Sequence, residues 1–143
     1  MRYEDSRRTV PLNGQTYGEL RDLVADLVKT LEWKSGLQKT EVFNRIPEDL
    51  VIETQNPLLK VILQYLLNAI ISCTRNGSIN LQAKNYTNVT LVHLKCSGIN
   101  AEAMHSHLAR LQPVAEKIKG SVSITSKIDG ITTITFGFPQ NDI

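Results

Sequence analysis

The sequence predicts an α+β fold, a two-layer α/β sandwich with three helices on one face of a mixed, mostly antiparallel sheet of about five strands. Two patterns carry this. Three long stretches repeat their apolar residues at helical spacing, and four segments alternate apolar with polar residues as strands with one buried face do. A sheet that is wet on one side needs a layer of helices on the other. A chain of 143 residues is enough for one domain with a real core and short for two.

Residues 1–8 are charged and aperiodic, a tail or linker stump, and residues 9–12 suit a short edge strand before Asn13-Gly14. Thr16 and Glu19 form a capping box, after which Leu20, Leu23, Val24, Leu27, Val28 and Leu31 give an amphipathic helix to about Trp33, stopped by Ser35-Gly36. Two strands follow, at residues 40–46 and 50–53, around a Pro47-Glu48-Asp49 turn. The next helix, residues 56–72, starts cleanly because Asn56 suits the N-cap and Pro57 the first turn. Leu59, Ile62, Leu63, Leu66, Leu67 and Ile70 form its apolar face, while Lys60, Gln64, Asn68 and Ser72 stack four apart along a polar line. Asn76-Gly77 closes it. Residues 78–84 and 89–96 then read as a hairpin, residues 101–111 as a helix capped by Asn100, interrupted and restarted at Pro113 and ended by Gly120. Residues 121–127 and 131–138 are the last strands, joined at Asp129-Gly130, with Ile134, Phe136 and Phe138 on one face. The domain thus spans residues 9–139, with a C-terminal tail at 140–143.

A net charge of +2 without a dense Lys/Arg run offers no footprint for nucleic acid, and Trp33 with the scattered tyrosines makes no base-stacking platform. The apolar run within residues 61–71 falls short of the roughly 20 residues of a membrane span, and no signal sequence opens the chain. The expected setting is cytoplasmic, without direct membrane contact. Cys73 and Cys96 lack zinc spacing and read as reduced, buried thiols. His105 and His107 lie two apart on a helix, point to different faces and make a poor metal pair. His93 reads as a solvent-facing strand residue. No phosphate loop, dinucleotide fingerprint or nucleophile with a matched base occurs.

The order of elements, with ILQYLLNAIISCTRNGSI at its centre and KIKGSVSITSKIDGITTITFGFP at its end, resembles the ATP-binding domain of sensor histidine kinases, the Bergerat or GHKL fold. The resemblance covers about residues 9–139. It implies that Asn68 stands at the asparagine that holds magnesium on ATP, with Gln64 one turn earlier where relatives carry an asparagine or acid. The Lys-Tyr pair that usually follows is Ile71 and Ser72 here. The adenine-recognising Asp-x-Gly-x-Gly box reads Cys96, Ser97, Gly98, Ile99, Asn100, so an uncharged thiol replaces the aspartate, while Asn100 could take a left-handed conformation. No glycine occurs from Ala101 until Gly120, so the family's ATP lid and second glycine box are absent.

The resemblance therefore implies a remnant nucleotide pocket formed by Asn68, Gln64, Gly98 and Cys96, no catalytic residue, and magnesium at Asn68 only if nucleotide binds. Phosphoryl transfer depends almost wholly on positioning, which these losses remove. The expected function is a degenerate ATPase-like domain of a two-component or phosphorelay protein, contacting a response regulator or other signalling protein without an obligatory cofactor. The rival readings are a divergent working domain that binds ATP and magnesium, and a module for another small ligand in the remnant pocket. Family members dimerise through a helical hairpin that bears the acceptor histidine. None is encoded here, which implies a piece of a longer sensor protein or a domain acting in trans.

Overall fold

The computed structural model describes residues 17–53, 56–127 and 129–140. Its organising element is α3 (Pro57–Ser72), whose first turn is set as the sequence dictates: the Asn56 side chain accepts from the Leu58 amide at 2.9 Å, and Pro57 needs no amide partner there. Leu59, Ile62, Leu63, Leu66, Leu67, Ala69, Ile70 and Ile71 are buried. That is wider than a single stripe, because α3 has neighbours on three sides: the sheet beneath it, α1 (Leu20–Thr30) and α2 (Glu32–Leu37) along one flank, and α4 (Ala101–Glu116) along the other.

The main sheet runs β2 (Glu41–Asn44), β4 (Thr74–Asn85), β5 (Val89–Ile99), β7 (Thr132–Pro139) and β6 (Ser121–Ser126), antiparallel throughout except for the parallel β2–β4 pair. Its inner face carries Ile79, Leu81, Val92, Leu94, Cys96, Ile134, Phe136 and Phe138 into the core. Its outer face is polar, with Arg45 Nε donating to Asn80 Oδ1 at 3.0 Å and His93 Nδ1 lying 3.1 Å from Thr135 Oγ1. Burial and the charges of Lys95 and Lys84 push His93 below the ordinary histidine value. The expected two layers and mostly antiparallel five-stranded sheet are present. Among the described residues four helices, not three, cover it, and none of these is long and apolar enough to cross a membrane.

Local expectations are corrected at four places. Residues 17–19 do not open a helix but form β1 (Tyr17–Glu19), paired antiparallel with β3 (Val51–Glu53) in a separate ribbon. The Leu20 amide donates to Leu50 O, so this tertiary bond starts α1, and Glu19 supplies no side-chain cap. Thr16 and the strand expected at residues 9–12 lie outside the described residues. Ser35-Gly36 does not end the helix. The break falls at Leu31, and α2 continues through Gly36 until Lys39 turns left-handed at φ 51°.

Asn76-Gly77, expected to close α3, instead forms an irregularity inside β4. The helix has already ended at Cys73, where Thr74 Oγ1 donates to Ile70 O at 2.7 Å, and Asn76 takes φ 50° as asparagine tolerates. Pro113 neither interrupts nor restarts α4. It sits on the exposed side, so the Ala109 carbonyl that lacks an amide partner faces water, while Leu111 and Ala115 hold the other side in the core.

Gly77 is the tightest of these points. A Cβ there would lie 1.9 Å from Ser97 O, and one on the facing Gly98, at φ 79°, would lie 2.6 Å from Arg75 O. Both obstacles are backbone and cannot swing aside. Gly77→Ala is expected to cost about 3 kcal/mol of stability, read from the urea midpoint at unchanged m-value.

Candidate functional site

The polar line of α3 survives as an exposed edge between its neighbours. Lys60, Gln64, Asn68 and Ser72 are all exposed, and the Ser72 hydroxyl donates back to Asn68 O at 2.9 Å. Asn68 is not free. Lys34, on α2, donates from Nζ to its Oδ1 at 2.7 Å. The geometry follows from the break at Leu31, which turns α2 away from the axis of α1 and onto the C-terminal half of α3. The side chain of Gln38 fastens that arrangement, donating to Ser72 O at 3.0 Å and Thr74 O at 3.1 Å.

The four candidate residues do not share one pocket. Gln64, with Lys60, lines a recess of about 170 Å³ against Asp26, Leu27, Thr30 and Leu31 of the α1 flank. Gly98 lines a different one, of about 350 Å³, with Ser72, Cys73, Arg75, Ile99, Asn100 and Ala103. Cys96 lines neither. It points inward from β5, fully buried, its thiol 3.6 Å from Leu94 O, and burial pushes that thiol up to about 12. A protonated, enclosed thiol offers neither charge nor access to a ligand in the Gly98 recess.

Asn100 is extended at φ −84°, not left-handed, because it caps α4: its Oδ1 accepts from the Ala103 amide at 3.1 Å. α4 therefore begins at once after the glycine turn and lies against α3, where Tyr65 OH and His107 Nδ1 are 3.2 Å apart. His107 is thereby turned toward α3, and His105 is exposed. Sequence reasoning missed two cations of this region. Lys34 lies at the site through a helix break that leaves no periodic signal. Arg75 enters the Gly98 recess because β4 begins earlier than its alternation suggests.

The sequence matches no protein-family model and no curated protein. Solved structures do match. The nucleotide-free catalytic domain of histidine kinase ThkA superposes with a TM-score of 0.68, covering 88% of this chain and 95% of that one at 19% identity. Histidine kinase AdeS of Acinetobacter baumannii gives 0.72 over 88% and 68% of the two chains at 12% identity. ThkA in complex with the response regulator TrrA gives 0.66 over 89% and 42% at 20% identity. The chain thus has the fold of histidine kinase catalytic domains, spanning nearly all of the isolated domain and under half of the longer ThkA chain.

The enclosed thiol makes the fold pH-sensitive in a defined direction. An unfolded cysteine loses its proton near pH 8.5, whereas folded Cys96 keeps it to about 12. Between those values the folded state binds more protons than the unfolded, so stability falls as pH rises, by about 1.4 kcal/mol per pH unit from this group. Urea unfolding at pH 8 and pH 10 is expected to show this loss, with Cys96→Ala showing a smaller decline over the same interval.

Proposed function

We propose that this domain is a histidine-kinase ATPase-like module of two-component or phosphorelay signalling that acts by protein contact, with weak or no ATP binding. The observation that carries the reading is the Lys34 ammonium on the Asn68 amide oxygen. In the likeness to sensor kinases that oxygen is the one offered to magnesium, a hard cation that takes oxygen ligands, and here the ammonium competes for it. The surrounding residues do not fit magnesium-ATP. Cys96 is neutral and enclosed, and Asn100 leads straight into α4 with no glycine-rich segment to cradle phosphates. No phosphoryl-transfer step is therefore assigned to this chain.

A signalling partner fits the same reading, since ThkA was solved with its response regulator bound. A response regulator or comparable signalling protein is the partner we assign, in a cytoplasmic setting. The rival, a divergent working catalytic domain, draws support from one feature: Asn68 itself is retained, on the exposed edge of α3.

Titration calorimetry with ATP and magnesium separates the two. The expected result is no micromolar binding by the unaltered chain. Micromolar affinity that Asn68→Ala abolishes would overturn the proposal. Lys34→Ala, which frees the amide oxygen, is expected to raise any residual magnesium-dependent binding by less than about tenfold, because one cleared ligand does not restore the missing cradle. Co-purification with response regulators then tests the contact role, and binding that persists without nucleotide is the expected outcome.

A further inference from the structure

β6 is the outer strand of the main sheet, and among the described residues no strand pairs with its outer side. The Lys127 amide donates to Ile131 O, and the Val122 amide donates instead to Gln112 Oε1 at 3.1 Å. Together with the register against β7 these two bonds fix the alternation. Ser121, Ser123 and Thr125 bond to β7, and the backbone groups of Val122, Ile124 and Ser126 point away from the sheet. Gln112 takes the first of these amides. No described residue takes those of Ile124 or Ser126.

An open edge is a template for another strand, and proteins usually blunt it with charge, proline or a bulge. The strand Ser-Val-Ser-Ile-Thr-Ser carries none of them, and its register against β7 is unbroken. Val122 and Ile124, though packed against the core, are only half-buried, for want of a strand beside them.

We propose that β6 pairs antiparallel with β6 of a second copy of this chain, about a two-fold axis at Ile124. The strand is complementary to itself in that register. Ile124 faces its own copy on the helix side of the sheet, Val122 faces Ser126, Ser123 faces Thr125, and Ser121 faces Lys127, so no like charges are opposed. Such a contact uses one patch twice and closes at two subunits. Gln112 is the latch on this edge, since the Val122 amide must leave it to join the new ladder.

Sedimentation velocity on the full chain over a range of concentrations tests the proposal. The expected result is a monomer–dimer equilibrium that Gln112→Ala tightens by about tenfold, because neither copy then gives up a hydrogen bond to pair. Ser126→Pro deletes an outward amide that β7 does not use, and Ile124→Lys opposes two like charges at the axis. Each is expected to leave the chain monomeric with an unchanged far-ultraviolet spectrum. A chain that stays monomeric at every concentration, with and without Gln112→Ala, overturns the proposal, as does a dimer that survives both Ser126→Pro and Ile124→Lys. Nucleotide takes no part in these measurements, so their outcome is independent of the ATP titration.

Discussion

The burial of α3 on three sides is the constraint from which the rest follows. Each large apolar side chain it withdraws from water contributes about 1.5–3 kcal/mol, and those side chains face the sheet, α1 and α4 together, so none of these layers has a core without it. The same burial leaves one outward line for polar residues. Gln64, Asn68 and Ser72 lie there because no other part of the helix surface is open, and whatever reaches them must come over the top of the helix layer, as Lys34 does.

A second constraint ties that helix to the sheet. The chain leaves α3 at Cys73, enters β4 almost at once, and within a few residues brings Gly77 against Ser97 and Gly98 of β5. The hydroxyls of Ser78 and Ser97, 3.0 Å apart, join the two strands just beyond this point. The recess beside Gly98 is built on that junction, its far wall being the capped start of α4. Its shape is therefore set by backbone packing more than by the side chains that line it.

Much of the fold was legible in the sequence because its signals are local. The apolar spacing of residues 59–70, the alternation in residues 79–83 and 92–96, and the Asn56-Pro57 start each report on a few neighbouring residues, and each has its counterpart in the structure. The errors fall where a distant partner decides. Thr16 and Glu19 match a capping box, yet the bond from Leu20 to Leu50 O sets the helix start. Asn76-Gly77 reads equally as a helix stop or as a strand irregularity, and only the approach of β5 chooses between them. The site shows the same division. Spacing placed Gln64 and Asn68 on one line, but the recess that Gln64 joins depends on α1, the lysine that meets Asn68 depends on α2, and the inward turn of Cys96 depends on the pleat of β5.

The carboxamide of Gln38 lies within 3.4 Å of three carbonyls, those of Ile71, Ser72 and Thr74, with only two hydrogens to share among them. The first two lie at the end of α3, where carbonyls lack helical partners, and the third opens β4 and also accepts from the Thr40 hydroxyl. One side chain thus both finishes the negative end of α3 and moors α2, which carries Lys34 one turn earlier. The Lys34–Asn68 contact is exposed and individually weak, but swinging α2 aside to open it also means stripping the carbonyls at the end of α3. Release of Asn68 by that route is accordingly a cooperative unlatching of a whole segment, set by the strength of its mooring and not by the exposed lysine.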